Sequence, residues 1–169
     1  MQMELISSDT NIWIDFDAAG CLEEPFKLRD TYKYIMSVDT LRDEILSPPE
    51  LGVRLVELGI EAVEITENEY ILVSDYAKRY AQLSVYDRIA LSIAANRKIK
   101  LLSGDKALRI AAQREGVEVH GSLWLLDILL LSDKMQESRY KDILRTMKSL
   151  NGSRIRLPDK EIEKRLKAK

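Results

Sequence analysis

The sequence is poor in the residues on which several common chemistries are built. It holds one cysteine, Cys21, and one histidine, His120. A single cysteine closes no internal disulfide, and the two residues together exclude a Cys/His zinc cluster or any site that needs several imidazoles. Cys21 has no basic neighbour in sequence to activate its thiol, so it is expected to be inert. Only seven glycines are present, and none builds the phosphate loop of a Walker or dinucleotide-binding motif. Neither charge is in large excess: 26 Lys and Arg face 28 Asp and Glu, for a net charge of -2. No broad field therefore draws in nucleic acid, and any such contact must rest on a local patch or on metal ions. Long apolar runs are missing too. The longest, Leu123–Leu131, is broken by Asp127 and is too short to span a bilayer. The N-terminus lacks a basic stretch followed by a long apolar run, so no signal peptide and no membrane association are expected, and a cytoplasmic location is.

What the sequence does have is alternation. An apolar strand over residues 3–8 turns at Asp9 directly into helix 11–19. Residues 20–25 read as a loop and Tyr32–Val38 as a second strand. A short helix is predicted from Asp39 to Leu46, with Thr40 and Asp43 approximating a capping box and Pro48-Pro49 as the stop. A further helix runs to Leu58 and ends at Gly59. Ile60–Ile65 alternates apolar and acidic side chains, the pattern of an edge strand. Helix 67–82, a helix opened by Ser84, strand 99–102, helix 106–115 and strand 117–119 complete the series. Repeated strand–helix units imply an α/β fold, a central parallel sheet with helices on both faces. Leu123–Leu131 is apolar nearly all round, so it is either buried inside the domain or covered by a partner. An amphipathic helix over 136–150 and a turn at Asn151-Gly152 follow. From Ser153 the tail carries seven Lys/Arg against three Asp/Glu.

Four acids stand where a parallel sheet gathers its ligands, at the carboxyl ends of strands and the starts of the helices beyond them. Asp9 and Asp105 sit at strand ends; Glu44 and Asp87 sit in first helical turns. If the first and fourth strands are neighbours, Asp9 and Asp105 meet where the strand order reverses. Carboxylates so placed repel one another, and a divalent cation relieves that repulsion. Oxygen ligands without thiol or imidazole select hard ions, Mg²⁺ or Mn²⁺. Each acid also has a plain structural use: Asp105 as an N-cap, Asp87 as the third residue of a box with Ser84, Glu44 on a solvated helix face, Asp9 in a turn.

Ser8-Asp9-Thr10-Asn11-Ile12-Trp13-Ile14-Asp15, Leu83–Leu91 and Leu101–Arg109 resemble the conserved blocks of PIN-domain nucleases, most closely the VapC-type toxin ribonucleases of prokaryotes. The likeness continues through Gly116–Gly121 and covers residues 3–131. It implies a three-layer α/β/α PIN-like fold with a central five-stranded parallel sheet over residues 1–131. Residues 132–169 are then a C-terminal helical extension packed on the same domain. It also implies Mg²⁺- or Mn²⁺-dependent endoribonuclease activity. Asp9, Glu44, Asp87 and Asp105 match the metal-holding catalytic acids, with Asp43 competing with Glu44 for the second position. Thr10, Asn11 and Ser103 match polar positions bordering the site. Arg88, Lys106 and Arg109 flank the acids as possible RNA contacts. A toxin of this kind has a small antitoxin partner and forms a homodimer. Two alternatives stay open: a non-catalytic PIN-fold module that binds RNA or protein, and a housekeeping RNA-processing nuclease. A phospho-receiver domain needs an acidic pair by the first strand, and Glu4 and Asp9 are too far apart to supply it. Asp15 and His120 read as structural residues, and Trp13 and Trp124 as core or interface.

Overall fold

Strand residues that are apolar or small on both sides require cover on both faces of the sheet. The computed structural model, which describes residues 2–44 and 50–168 with the Glu44 side chain excepted, supplies it. Five strands, β1 (Glu4–Ser8), β2 (Tyr32–Ser37), β3 (Glu61–Val63), β4 (Lys100–Leu102) and β5 (Val119–His120), form one parallel sheet in the order β3-β2-β1-β4-β5. Strand order reverses at β1, which pairs with β2 on one side (Ile6 opposite Tyr34) and with β4 on the other (Ser8 opposite Leu102). The first and fourth strands are thus neighbours, and β3 is the edge strand that its alternating pattern implied.

The side-chain period of two separates the layers. Ile6, Tyr34, Met36 and Leu102 point into one core with Trp13 and Phe16 of α1 (Thr10–Ala18) and Leu51 and Leu55 of α2 (Leu51–Leu58). The same core takes Leu125, Leu126 and Leu129 of α6 (Ser122–Leu131), Ile143 and Leu144 of α7 (Glu137–Leu150) and Ile162 of α8 (Asp159–Lys167). Ile35 and Leu101 point the opposite way, against α3 (Glu67–Arg79), α4 (Val85–Arg97) and α5 (Lys106–Arg114). The small stripe Ala107, Leu108, Ala111 and Ala112 lets α5 lie close on that face. Trp13, Phe26 and Tyr34 form a ring cluster with centroids 5.1–5.4 Å apart. The Trp13 indole N–H inside it donates to the Ser8 hydroxyl at 2.9 Å, so the cluster also fixes the end of β1.

Of the two readings of the apolar segment, the chain takes the internal one. α6 packs against α1, α7 and the 3₁₀ turn Glu24–Leu28, and Leu131 is its one strongly exposed leucine. Its single charge, Asp127, accepts from the Tyr140 hydroxyl of α7 at 2.6 Å and from the Arg165 guanidinium of α8 at 2.8 Å. Four local expectations are corrected. The predicted loop 20–25 runs into the 3₁₀ turn, started by Pro25 and buried through Phe26 and Leu28. Helix α3 stops at Arg79 because Tyr80 and Leu83 turn into the core. The last strand begins at Val119 instead of Val117, because the Val117 N–H is held by the Ala112 carbonyl of α5 and cannot pair in the sheet. Thr40 and Asp43 form no capping box. The Ser37 hydroxyl takes the Thr40 N–H at 3.0 Å, Asp43 pairs with Arg42, and Thr40–Glu44 winds as a π-helical turn. The predicted stop at Pro48-Pro49 lies outside the described residues.

Helix α3 is tied to α4 through one carboxylate. Glu69 is fully buried and closes a capping box with Thr66, while Arg97 and Asn96 of α4 donate to it at 2.8 and 3.0 Å. Burial alone would raise its pKa, but those hydrogen bonds outweigh it and hold the carboxyl down at about 2. A lowered acid stabilises the fold above its unfolded pKa, and that contribution is lost as pH falls toward the folded value. Glu69→Gln should cost about 3 kcal/mol at pH 7 by urea unfolding, and its deficit relative to wild type should shrink steadily between pH 5 and pH 2.

Candidate active site

The site grows out of the reversal at β1. The backbone of Asp9 extends the β1–β4 ladder by one bond, its N–H donating to the Leu102 carbonyl at 2.8 Å. The Asp9 side chain then turns in and is only 2% exposed. Its Oδ1 accepts the Thr10 N–H at 2.8 Å, capping α1, and its Oδ2 accepts the Ser103 hydroxyl at 3.2 Å. Ser103 is fully buried just beyond β4, and its Oγ also accepts the Asp105 N–H at 3.1 Å. One hydroxyl thereby joins the residue after β1 to the residue that opens α5. The Asp105 carboxylate caps α5 through the Leu108 N–H at 2.9 Å.

Asp87 arrives from the third element, the first turn of α4. It exchanges bonds with Ser84, whose N–H reaches Asp87 Oδ2 at 3.0 Å while Ser84 Oγ accepts the Asp87 N–H at 3.1 Å. Burial raises the Asp87 pKa, the Ser84 bonds oppose that, and the charge of Asp105 raises it further. The last effect places the two carboxylates within each other's field. Capping and ligand binding are compatible here, because both caps use Oδ2 and leave carboxylate lone pairs over. A second tie aligns the two parts of the site: the Ser7 hydroxyl of β1 donates to the Ala90 carbonyl of α4 at 2.9 Å.

Three of the four sequence-predicted acids, Asp9, Asp87 and Asp105, thus lie at one end of the sheet on β1, α4 and α5. Among the described residues no three acidic, cysteine or histidine side chains converge closely enough to enclose a metal ion by themselves. The Glu44 side chain lies outside the described residues. Asp43, its rival, is exposed and bound to Arg42 at 2.9 Å, which keeps its carboxyl below the usual carboxylate range. The donor set fits a hard cation: it is all oxygen, and the Asp87–Asp105 repulsion is the kind that a divalent ion relieves.

The polar neighbours divide. Thr10 is buried, Ser103 is the bridge already described, and Asn11 is exposed on a cleft of about 450 Å³ that Asp105 and Lys106 also line. Arg88 is turned away into the α3–α4 contact, donating to the Val73 carbonyl at 3.2 Å. Arg109 lies against Gly121 beyond β5, where an added Cβ would come within 3.2 Å of its guanidinium. His120 stacks on Trp124 at 4.1 Å, and burial lowers its pKa. Cys21 is buried, which pushes its thiol up to about 12.

Sequence reasoning missed two features of the cleft. Asp15, one turn and a half beyond Asp9, is buried on its wall, and burial pushes its carboxyl up to about 7 against the opposing bond from the Ser122 hydroxyl at 3.3 Å. Arg154 and Arg156, from the segment between α7 and α8, also line it. The only hint of the arginines was the basic balance of the tail, which does not say where the tail lies.

A five-stranded parallel sheet in the order β3-β2-β1-β4-β5 between two helical layers, with acids at its carboxyl end, is a PIN-like fold. The chain belongs to the PIN-domain family: the family model DUF3368, described as a PIN domain, matches residues 5–169. No curated protein and no solved structure matches the chain. PIN domains are in general nucleases that use divalent metal ions.

The raised Asp15 carboxyl has a stability consequence with a definite sign. The folded state holds this proton between about pH 4 and pH 7 while the unfolded chain has lost it, so stability falls as pH rises through that window. Asp15→Asn should therefore unfold at a higher temperature than wild type at pH 8, with the gain vanishing near pH 4. A tenfold difference in proton affinity between the folded and unfolded chain corresponds to about 1.4 kcal/mol, so the effect at pH 8 should be measurable by calorimetry.

Proposed function

We propose that the protein is a Mg²⁺- or Mn²⁺-dependent endoribonuclease, with Asp9, Asp87 and Asp105 as metal-holding catalytic acids and Glu44 as the fourth. The observation that carries the reading is the Asp9–Ser103–Asp105 bridge, which ties two strand ends together, while the Ser7–Ala90 bond holds α4, and with it Asp87, at the same end of the sheet. A bound divalent ion supplies charge neutralisation for the phosphodiester and an acidified water as nucleophile. The chain's own part is positional. Thr10 and Ser103 fix the orientation of the Asp9 carboxylate, and Ser84 fixes Asp87. Asn11 and Lys106 offer donors to phosphate oxygens on the cleft side of Asp105.

The toxin role, with a small antitoxin partner, a homodimeric assembly and a cytoplasmic site of action, is supported by the resemblance of the three sequence blocks to VapC-type ribonucleases. Among the described residues no helix is long and apolar enough to cross a membrane. A toxin should arrest the growth of a host in which it is expressed alone, and co-expression of a small upstream-encoded partner should lift the arrest. A housekeeping nuclease should do neither.

The direct test is cleavage of a mixed pool of single-stranded and structured RNA with Mg²⁺, Mn²⁺ or EDTA. EDTA should abolish cleavage, and Asp9→Asn and Asp87→Asn should each lower the rate by roughly 10²–10³-fold while remaining folded. No cleavage together with no metal-induced rise in the melting temperature of the wild type would favour a binding module instead.

A further inference from the structure

The cleft beside the acids has two walls of opposite character. One is the catalytic end of the sheet, with Asn11, Asp15, Asp105 and Lys106; the other is the segment that holds Arg154 and Arg156. That second wall is rigidly built. Ile155 is 2% exposed and belongs to the main core, so the arginines flank an anchor. The Ile155 carbonyl accepts the Gly152 N–H at 2.8 Å, and Asn151 clasps Leu157 twice, through Oδ1 to its N–H at 2.8 Å and through Nδ2 to its carbonyl at 3.0 Å. Arg154 N–H is bound to the Leu150 carbonyl at the end of α7.

The two guanidiniums are also uncommitted. Seven other arginines of the chain pair with carboxylates within 4 Å, whereas Arg154 and Arg156, like Arg29 and Arg114 elsewhere, are exposed and make no ion pair among the described residues; of these four, Arg154 and Arg156 line the cleft. Two exposed, unpaired guanidiniums on an anchored segment across a cleft from an acid site suit a polyanion better than they suit the acids, which stay unclaimed by them. The overall charge of -2 supplies no general attraction, so a nucleic-acid substrate needs a local one. We propose that Arg154 and Arg156 bind backbone phosphates of single-stranded RNA and hold the strand in the cleft so that a neighbouring phosphodiester lies over Asp105. This rests on the nuclease reading and extends it: the C-terminal segment is the positioning half of the substrate site. The contacts are to phosphate, so they raise affinity without reading sequence.

The test uses Arg154→Gln/Arg156→Gln and, with charge retained, Arg154→Lys/Arg156→Lys. Binding of a fluorescent ten-nucleotide RNA is measured in Mg²⁺ on an Asp87→Asn background, and steady-state cleavage on the active protein. The Gln pair should raise Kd and KM about tenfold or more with kcat little changed, and the Lys pair should restore most of the loss. Loss of two phosphate contacts should also flatten the slope of log Kd against log salt by about 1.4. If the Gln pair lowers the melting temperature, the slope still decides, because a merely structural role does not change it. Unchanged Kd and slope in the Gln pair, with a wild type that cleaves RNA, would overturn the proposal and leave the nuclease reading intact. A wild type that neither binds nor cleaves RNA would overturn both.

Discussion

Everything at the acid-bearing end of the sheet depends on β1 being paired on both sides. A strand with partners on each edge cannot shift its register without breaking two ladders, and its last residue is therefore as well placed as any in the molecule. Asp9 inherits that placement. The extra bond from its N–H to Leu102 ties it to β4, and the buried Ser103 hydroxyl carries the constraint on to Asp105. Small hydroxyl residues, Ser7, Ser8 and Ser103, sit where the acids need support, and each is buried with a partner. They satisfy polar groups that burial would otherwise leave at a cost of about 1–3 kcal/mol apiece.

The acids themselves illustrate how a site of like charges is made tolerable. Asp9, Asp87 and Asp105 each cap or brace the start of a helix, where backbone N–H groups and the helix dipole favour a negative charge. Part of the repulsion between neighbouring carboxylates is offset by these fixed dipoles before any cation arrives. At Asp87 burial is the main cause that holds the proton more tightly than in a free carboxyl, and the charge of Asp105 adds to it. Asp15, on the wall of the cleft, is raised by burial alone, which outweighs its one hydroxyl partner.

Local patterns made most of the frame legible. The alternation at Ile60–Ile65 announced an edge strand, Ser84 with Asp87 announced a helix start, and Gly59 announced a helix end, which it makes at a φ of 130°. Turn chemistry was harder to read where two donors compete. Thr40 looked like a cap, but the Ser37 hydroxyl reaches its N–H first. Val117 looked like a strand residue, but the end of α5 claims its amide. The placement of Asp9, Asp87 and Asp105 at strand ends and helix starts was legible because those are local signals. The cleft's other wall was not. Arg154 is 49 positions from Asp105 in sequence, and long-range packing, with Ile155 and Ile162 in the shared core, brings that segment round.

That return journey turns on Asp127. Apolar helix faces tolerate sliding, since a leucine displaced by one turn meets another leucine, and α6 is apolar almost all round. A charge has no such indifference. By receiving both the Tyr140 hydroxyl and the Arg165 guanidinium, Asp127 gives α7 and α8 a single address on an otherwise featureless surface. A slip of one turn would carry the segment between them about 5.4 Å, roughly the span of a phosphate group and its neighbouring sugar. One carboxylate outside the proposed metal-holding set therefore acts as the surveyor's mark from which the arginine wall is measured.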